Sequence, residues 1–172
     1  MNFPYTSEDF QEVAGLLGRE PRGLYKVIKR HPVKNHPMVI KVIPWVKNQP
    51  FPTLYWLTCP ILKKEISHIE KDGWIGRFEK KYFEPDSELN EVLQAQHAAY
   101  RDERIELFNK VDGDWEKLPV AMQEILKKSG IGGISDFNHI KCFHLHYAHY
   151  LATGKNPVAE LLNELFQMSR HY

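Results

Sequence analysis

The 172-residue sequence lacks the features that would direct it to a membrane, a secretory route or a polyanion. No apolar run approaches the roughly 20 residues of a membrane-spanning helix. The first residues, "MNFPYTSEDF", have neither a basic start nor an apolar segment, as a secretory signal would. Two cysteines are too few for a disulfide framework, and 23 basic residues nearly balance 22 acidic ones, so nucleic acid is not indicated. We therefore expect a cytoplasmic protein with reduced thiols and no membrane span.

The composition is that of an ordinary globular protein, and the length suits a single domain over residues 1–172. Charge is nevertheless unevenly distributed along the chain. Residues 19–41 contain seven Lys or Arg and one acid, whereas residues 70–124 contain eight Lys or Arg and fourteen acids. This asymmetry indicates either an anionic ligand near the first third or two solvated surfaces of opposite charge.

Hydrophobic periodicity divides the chain into a short β region and a longer helical region. After a first helix, "TSEDFQEVAGLLG", three runs rich in β-branched and aromatic residues predict strands: "GLYKVIKR", "MVIKVIPW" and "TLYWLTC". From Pro60 onwards the apolar spacing becomes helical, and the last predicted helix begins near Pro157. The predicted fold class is α+β, with a small antiparallel or mixed three-stranded sheet in the N-terminal third and a mostly helical C-terminal half.

The segment "IKCFHLHYAHYLATGKNP" concentrates potential metal ligands in the predicted penultimate helix. If the helix includes His139 and Cys142, a wheel places them with His146 and His149 in one arc about 80° wide, with His144 pointing away. Thiolate and imidazole are the usual zinc ligands. The spacing therefore favours a transition-metal site, although packed and hydrogen-bonded histidines would give the same pattern.

Cys59 and His31 are the candidate ligands from the β region. Cys59 precedes Pro60, so we expect it at the N-cap of a helix, where the dipole and free N–H groups favour a thiolate. That form serves a metal ligand or a nucleophile, whereas a buried apolar cysteine would be inert. His31 follows the first predicted strand and could complete a set with Cys59, Cys142 and His146 or His149.

A second candidate site is basic. Arg19 and Arg22 flank a proline in the loop "GREPRG", and Lys26 and Arg30 share one face of the first predicted strand. Arginine forks and lysine charges suit phosphate or carboxylate. The alternative is a charged strand edge that prevents sheet aggregation.

Four stretches of the sequence resemble a bacterial family catalogued as domain of unknown function 501: "LLGREPRGLYKVIKR", "PFPTLYWLTCP", "FEPDSELNEVLQAQHAAYRDER" and "GGI" followed by "IKCFHLHYAHYLATGKNPV". The resemblance implies no activity or cofactor. It implies that a cysteine of other members stands where this chain has His31 or a neighbour, which would keep a metal ligand there. It also implies a link to cell division, because genes of the family often lie near a septum-formation protein and an exopolyphosphatase-like enzyme.

Three functional hypotheses follow from these residues. The first is a zinc or iron site formed by His31, Cys59, Cys142, His146 and His149, structural if protein fills every position and hydrolytic towards a phosphorylated or anionic ligand if water occupies one. The second is a metal-free enzyme that uses Cys59 as a nucleophile, assisted by His144 or His146. The third is a partner-binding protein without catalysis.

Overall fold

The computed structural model describes residues 3–47, 49–111 and 115–172, and within them it contains seven α-helices and five β-strands. The helices are α1 Ser7–Leu17, α2 Pro60–Lys71, α3 Trp74–Tyr82, α4 Glu88–Val111, α5 Val120–Lys128, α6 Phe143–Thr153 and α7 Pro157–Phe166. The strands are β1 Leu24–Arg30, β2 Pro37–Val42, β3 Trp45–Val46, β4 Gln49–Pro50 and β5 Tyr55–Leu57.

The main sheet has the strand order β1-β2-β5 and is antiparallel throughout. Val27 lies opposite Ile40 in the first pair, and Ile40 lies opposite Trp56 in the second. The predicted fold class is confirmed, since three strands lie in the N-terminal third and helices fill most of the remainder. The second predicted strand was too long, because β3 and β4 form a separate two-stranded ribbon.

Both faces of the sheet are covered. Alternate side chains of a strand point to opposite faces, and neighbouring residues of β2 enter different clusters: Val39 joins the larger core, whereas Ile40 packs with Val13 of α1. The larger core also receives Leu62 of α2 and Phe143 of α6. Helix α6 therefore lies in the interior, which brings its first turn next to α2.

Local sequence explains where α1 begins and ends. The hydroxyl of Thr6 accepts the N–H of Asp9 at 3.1 Å, and the Asp9 carboxylate accepts the N–H of Thr6 at 2.9 Å. This reciprocal pair is a capping box. Gly18 ends the helix with φ 67°, a left-handed conformation that glycine adopts without steric cost. Arg30 then ties β1 to α1 through Asp9 at 2.6 Å and Glu12 at 2.8 Å.

The helical half differs from the prediction in two places. Helix α3 was not predicted, and it follows α2 after only two residues. The penultimate helix begins at Phe143, so Cys142 is its N-cap and His139 precedes it. In the part that the structure describes, no helix combines the length and the apolar character needed to cross a membrane.

A buried arginine holds the end of α5 against α4. Arg104 is fully buried and donates to the carbonyls of Leu126 at 2.8 Å, Ser129 at 2.7 Å and Gly130 at 2.9 Å. These carbonyls belong to the end of α5 and the turn after it, where helices leave acceptors unsatisfied. Burial lowers the pKa of Arg104 to about 10, which leaves the guanidinium charged at neutral pH.

We expect Arg104→Met to lower the free energy of unfolding by about 3 kcal/mol or more, because three carbonyls would lose their donor inside the protein. The control is Arg101→Met, one turn earlier on α4, whose side chain is partly exposed and pairs with Asp102. Its loss should be under about 1 kcal/mol. Urea unfolding of both variants measures the difference, and equal losses would contradict the structural role given to Arg104.

Candidate functional site

The structure places Cys59 at the N-cap of α2, as predicted, and buries it completely. Its Sγ lies 3.2 Å from Nε2 of His36, a residue that the sequence analysis did not select. Burial lowers the pKa of His36, and the nearby His31 and Lys34 act in the same direction. The Cys59 sulfur therefore contacts a His36 ring that is neutral at neutral pH.

His31 is also buried, but both of its ring nitrogens are occupied by the backbone. Nδ1 accepts the N–H groups of Val33 at 3.2 Å and Lys34 at 3.1 Å. Nε2 must then carry the proton, and it lies 3.0 Å from the carbonyl oxygen of His171. This arrangement pins the β1–β2 turn to the C-terminal residues. A metal could use His31 only after one of these contacts is broken.

The two thiols are not gathered around a common point, contrary to our expectation. Cys59 immediately precedes α2. Cys142 lies at the other end of this helix, beside Glu70, which belongs to the last turn of α2. Residues 59 and 70 are separated by about 16 Å along a helix axis. The five predicted metal ligands therefore do not surround one point. The sequence could not show this, because local patterns do not reveal which end of α2 packs against Cys142.

Among the described residues, one group of three potential ligands lies close enough to hold a metal ion: Glu70, Cys142 and His144. One ligand atom from each lies within 4.8 Å of the other two. Cys142 is one of the metal ligands predicted from the sequence, and metal binding by it stays a prediction. The sequence analysis considered His144 only as an assistant to a nucleophile, and it missed Glu70.

Glu70 organises this group by capping α6 from another helix. The Cys142 side chain forms no cap hydrogen bond. Instead, Oε1 of Glu70 accepts the N–H of Phe143 at 2.6 Å and that of His144 at 3.4 Å. A carboxylate at a helix N-terminus also interacts favourably with the helix dipole. The capping contact therefore fixes the distance between the end of α2 and the first turn of α6.

The His144 ring is held between two acceptors. Its Nδ1 lies 3.1 Å from Oε1 of Glu70, and its Nε2 lies 3.2 Å from the carbonyl oxygen of Lys63 and 3.3 Å from Oγ of Ser67. Burial alone would lower the pKa of His144, but its hydrogen bonds to Cys142 and Glu70 outweigh burial and raise the pKa to about 10. His144 is therefore an imidazolium that donates from both nitrogens at neutral pH.

The carboxylate responds in the opposite direction. Burial would raise the pKa of Glu70, but the hydrogen bond and charge of His144 and the two backbone N–H donors lower it overall. Glu70 and His144 thus form a half-buried ion pair, with side-chain exposures of 21% and 25%. Cys142 is partly accessible at the edge of this pair, unlike Cys59.

His146 and His149 have a different environment, built around Asn156. Oδ1 of Asn156 accepts the N–H groups of Val158 at 3.1 Å and Ala159 at 3.2 Å, which caps α7. Its Nδ2 then donates to Nδ1 of His149 at 3.1 Å, and Nδ1 of His146 lies 3.2 Å from Nδ2 and 3.3 Å from Oδ1 of the same amide. The backbone donors fix the orientation of the amide, so His149 accepts at Nδ1 and carries its proton on Nε2, whereas Nδ1 of His146 has both a donor and an acceptor within reach.

A third histidine, His97 of α4, packs against His146 with ring centroids 5.6 Å apart. Nδ1 of His97 accepts the N–H of Ile131 at 3.0 Å. Burial lowers the pKa of His97 and of His149 to about 4 and that of His146 well below its usual value. These rings are neutral packing elements in the observed state, and metal ligation by His146 or His149 stays a prediction that requires a different hydrogen-bond arrangement.

The four predicted anion-binding residues lie in different surroundings. Arg19 packs over the Trp56 ring at 4.9 Å, and Arg22 is exposed. Arg30 is paired with the two carboxylates of α1 described above. Lys26 lines a cleft between the sheet and α4. Anion binding by these residues stays a prediction, and Lys26 is the member that the structure places beside other lysines.

The fold and this site define a class: α+β proteins in which a carboxylate, a thiol and an imidazole converge where two helices meet. The comparison with family models then identifies the family. The model described as "Protein of unknown function (DUF501)" matches residues 28–164, most of the chain, so the protein belongs to that family. No curated protein and no solved structure matches the chain significantly.

We expect nuclear magnetic resonance to show both His144 ring nitrogens protonated at pH 8, because the pKa is about 10. Glu70→Gln should lower this pKa, since it removes the negative charge while its amide oxygen can still accept the Phe143 N–H. Glu79→Gln is the matched control, because Glu79 of α3 accepts the N–H of Ile140, in the segment just before α6, at 2.8 Å. Titration of His144 near 6.5 in the unaltered protein would contradict the ion pair.

The buried histidines predict acid sensitivity. His97 and His149 have pKa values of about 4 when folded, below the value of 6.5 for an exposed histidine. Between these two pKa values the unfolded chain binds a proton that the folded protein does not. The free energy of unfolding is therefore highest above pH 6.5 with respect to these rings, and it falls towards pH 4 by about 1.4 kcal/mol per pH unit for each ring. Urea unfolding between pH 7 and 5 should show this slope, which His149→Gln reduces and the exposed His68→Gln leaves unchanged. A flat profile would contradict neutral burial.

Proposed function

We propose that the protein binds a transition metal, zinc first and iron second, through Glu70, Cys142 and His144. The observation that supports this proposal is the convergence of three ligand atoms within 4.8 Å. Thiolate, imidazole and carboxylate are all zinc ligands, with bonds of about 2.0–2.3 Å. Tetrahedral ligand atoms would lie about 3.3–3.8 Å apart, so binding requires only a small contraction of the group.

Three protein ligands leave one position of a tetrahedral site for water or a substrate. This is the arrangement of catalytic zinc sites, whereas structural sites are closed by four protein ligands. We infer that the reaction class is metal-assisted hydrolysis, in which bound metal would lower the pKa of a water molecule. Phosphorylated or other anionic compounds are the substrate class that suits such a centre. A cytoplasmic location belongs to the same proposal, because both cysteines are free thiols.

The charge of His144 imposes a condition on metal binding. A metal can ligate an imidazole only after a nitrogen loses its proton, and the pKa of His144 is about 10. Protons therefore compete with the metal throughout the neutral range. Glu70 has two roles in this exchange, since it holds the proton on Nδ1 without metal and offers a ligand oxygen when the proton leaves.

A second candidate function uses the same residues without metal. The thiol of Cys142 is the more accessible of the two, and its sulfur lies within 4.8 Å of a ring nitrogen of His144, which Glu70 holds in place. A cysteine, an imidazole and an orienting carboxylate are the components of nucleophilic catalysis. In this alternative Cys142 replaces Cys59 as the nucleophile, because Cys59 is fully buried.

Elemental analysis of protein purified without a histidine tag tests the metal proposal. We expect about one zinc or iron per chain in the unaltered protein and in Cys59→Ser, and little metal in Cys142→Ser. Occupancy should rise steeply with pH between 6 and 8, because metal displaces a proton from His144. Circular dichroism of each variant confirms that the fold is retained.

Two results would decide against the proposal. Loss of metal from Cys59→Ser but not from Cys142→Ser would move the site to the other end of α2. Absence of metal from every preparation, together with rapid alkylation of Cys142 that His144→Gln slows, would support the nucleophile instead.

A further inference from the structure

A cleft of about 430 Å³ lies between the sheet and α4, formed by residues that take no part in the Glu70, Cys142 and His144 group. Sites for small molecules typically have volumes of roughly 300–1,000 Å³. The lining is charged on both sides: β1 and β2 contribute Tyr25, Lys26 and Lys41, and α4 contributes Glu103, Glu106 and Lys110.

One ion pair within this cleft is already complete. Nζ of Lys41 lies 2.5 Å from Oε1 of Glu103, and the Lys41 side chain is only 13% exposed. The hydroxyl of Tyr55 donates to the same carboxylate oxygen. This arrangement neutralises Lys41 and Glu103, so neither group determines the charge that the cleft offers to a ligand.

The remaining charges are two lysines and one glutamate. Lys26 comes from the sheet and Lys110 from the last turn of α4, so the two lysines line opposite walls of the cleft. Within the described part of the chain, neither has a carboxylate oxygen within 4.0 Å, and Glu106 has no cation within that distance. The cleft therefore presents a net charge of +1, from three Lys minus two Glu.

We propose that this cleft binds the phosphate group of a small phosphorylated molecule, held between Lys26 and Lys110. Lysine binds phosphate as a compact charge with three donors. The volume leaves room for an organic portion beside the phosphate, and Tyr25 supplies an aromatic wall for it. Glu106 opposes the anion by its own charge and so limits affinity to a weak, reversible level.

Of the four anion-binding residues predicted from the sequence, this cleft contains only Lys26. Arg30 is already neutralised by Asp9 and Glu12, and Arg19 lies on the Trp56 ring. Lys26 belongs to the basic stretch of residues 19–41 and also lines this cleft. Its partner is Lys110, which is distant in sequence and was therefore not selected as a candidate.

Isothermal titration calorimetry with inorganic phosphate and glycerol 3-phosphate, at low ionic strength, tests this site. We expect Lys26→Gln and Lys110→Gln each to weaken binding of both probes about tenfold. Glu106→Gln should tighten binding, because it removes a repelling charge. The controls remove the same charges elsewhere: Lys64→Gln on α2 and Glu91→Gln on α4, both exposed, should leave the affinity unchanged.

The opposite signs expected for Lys26→Gln and Glu106→Gln separate ligand binding from a loss of folding, which would weaken binding in both variants. Cys142→Ser should retain phosphate binding, since the cleft does not depend on the metal proposal. The proposal is overturned if Lys64→Gln weakens binding as much as Lys26→Gln, if Glu106→Gln weakens it, or if neither probe binds at millimolar concentration. Tighter binding of inorganic phosphate than of glycerol 3-phosphate would also overturn it, because the cleft is assigned to a phosphate ester.

Discussion

The carboxylate of Glu70 connects the end of α2 to the first turn of α6, and much of the candidate site depends on this contact. One oxygen accepts two backbone N–H groups and Nδ1 of His144. Because α6 lies in the core against β5, its position also determines how the C-terminal half meets the sheet. The same carboxylate maintains the charge of His144 and brings Cys142 within ligand distance. Glu70 therefore contributes both to the packing of α6 and to the proposed metal site.

The histidines of α6 and its neighbours fall into two electrostatic types, and hydrogen bonding explains the division. His144 has acceptors on both sides, so the ring is charged despite partial burial. His97, His146 and His149 are surrounded by the core, and burial lowers the pKa of each ring, so they are neutral; a donor also faces Nδ1 of His97 and of His149. Nε2 of His97 and Nε2 of His146 have no hydrogen-bond partner among the described residues. Such buried polar atoms cost about 1–3 kcal/mol each, which the packing of α4 against α6 and α7 must offset.

Sequence reasoning succeeded where the determining interactions are local. Runs of β-branched residues predicted the three strands, and the Cys59–Pro60 pair predicted the start of α2. It failed where the determining partner is distant. The wheel that grouped His139 with Cys142 assumed one continuous helix, but the cap that starts α6 at Phe143 comes from Glu70, 73 residues earlier. The role of His144 likewise depends on an acceptor in α2, and no periodicity within α6 contains that information.

We propose that Glu70, Cys142 and His144 form a metal site at the junction of α2 and α6. The most direct test is anomalous diffraction, at the zinc and iron absorption edges, from crystals of untagged protein. We expect a peak about 2.3 Å from Sγ of Cys142, with an oxygen of Glu70 and a nitrogen of His144 at about 2.0–2.2 Å from the metal. A peak beside Cys59 and His36, or no peak from protein supplied with both metals at pH 8, would contradict it.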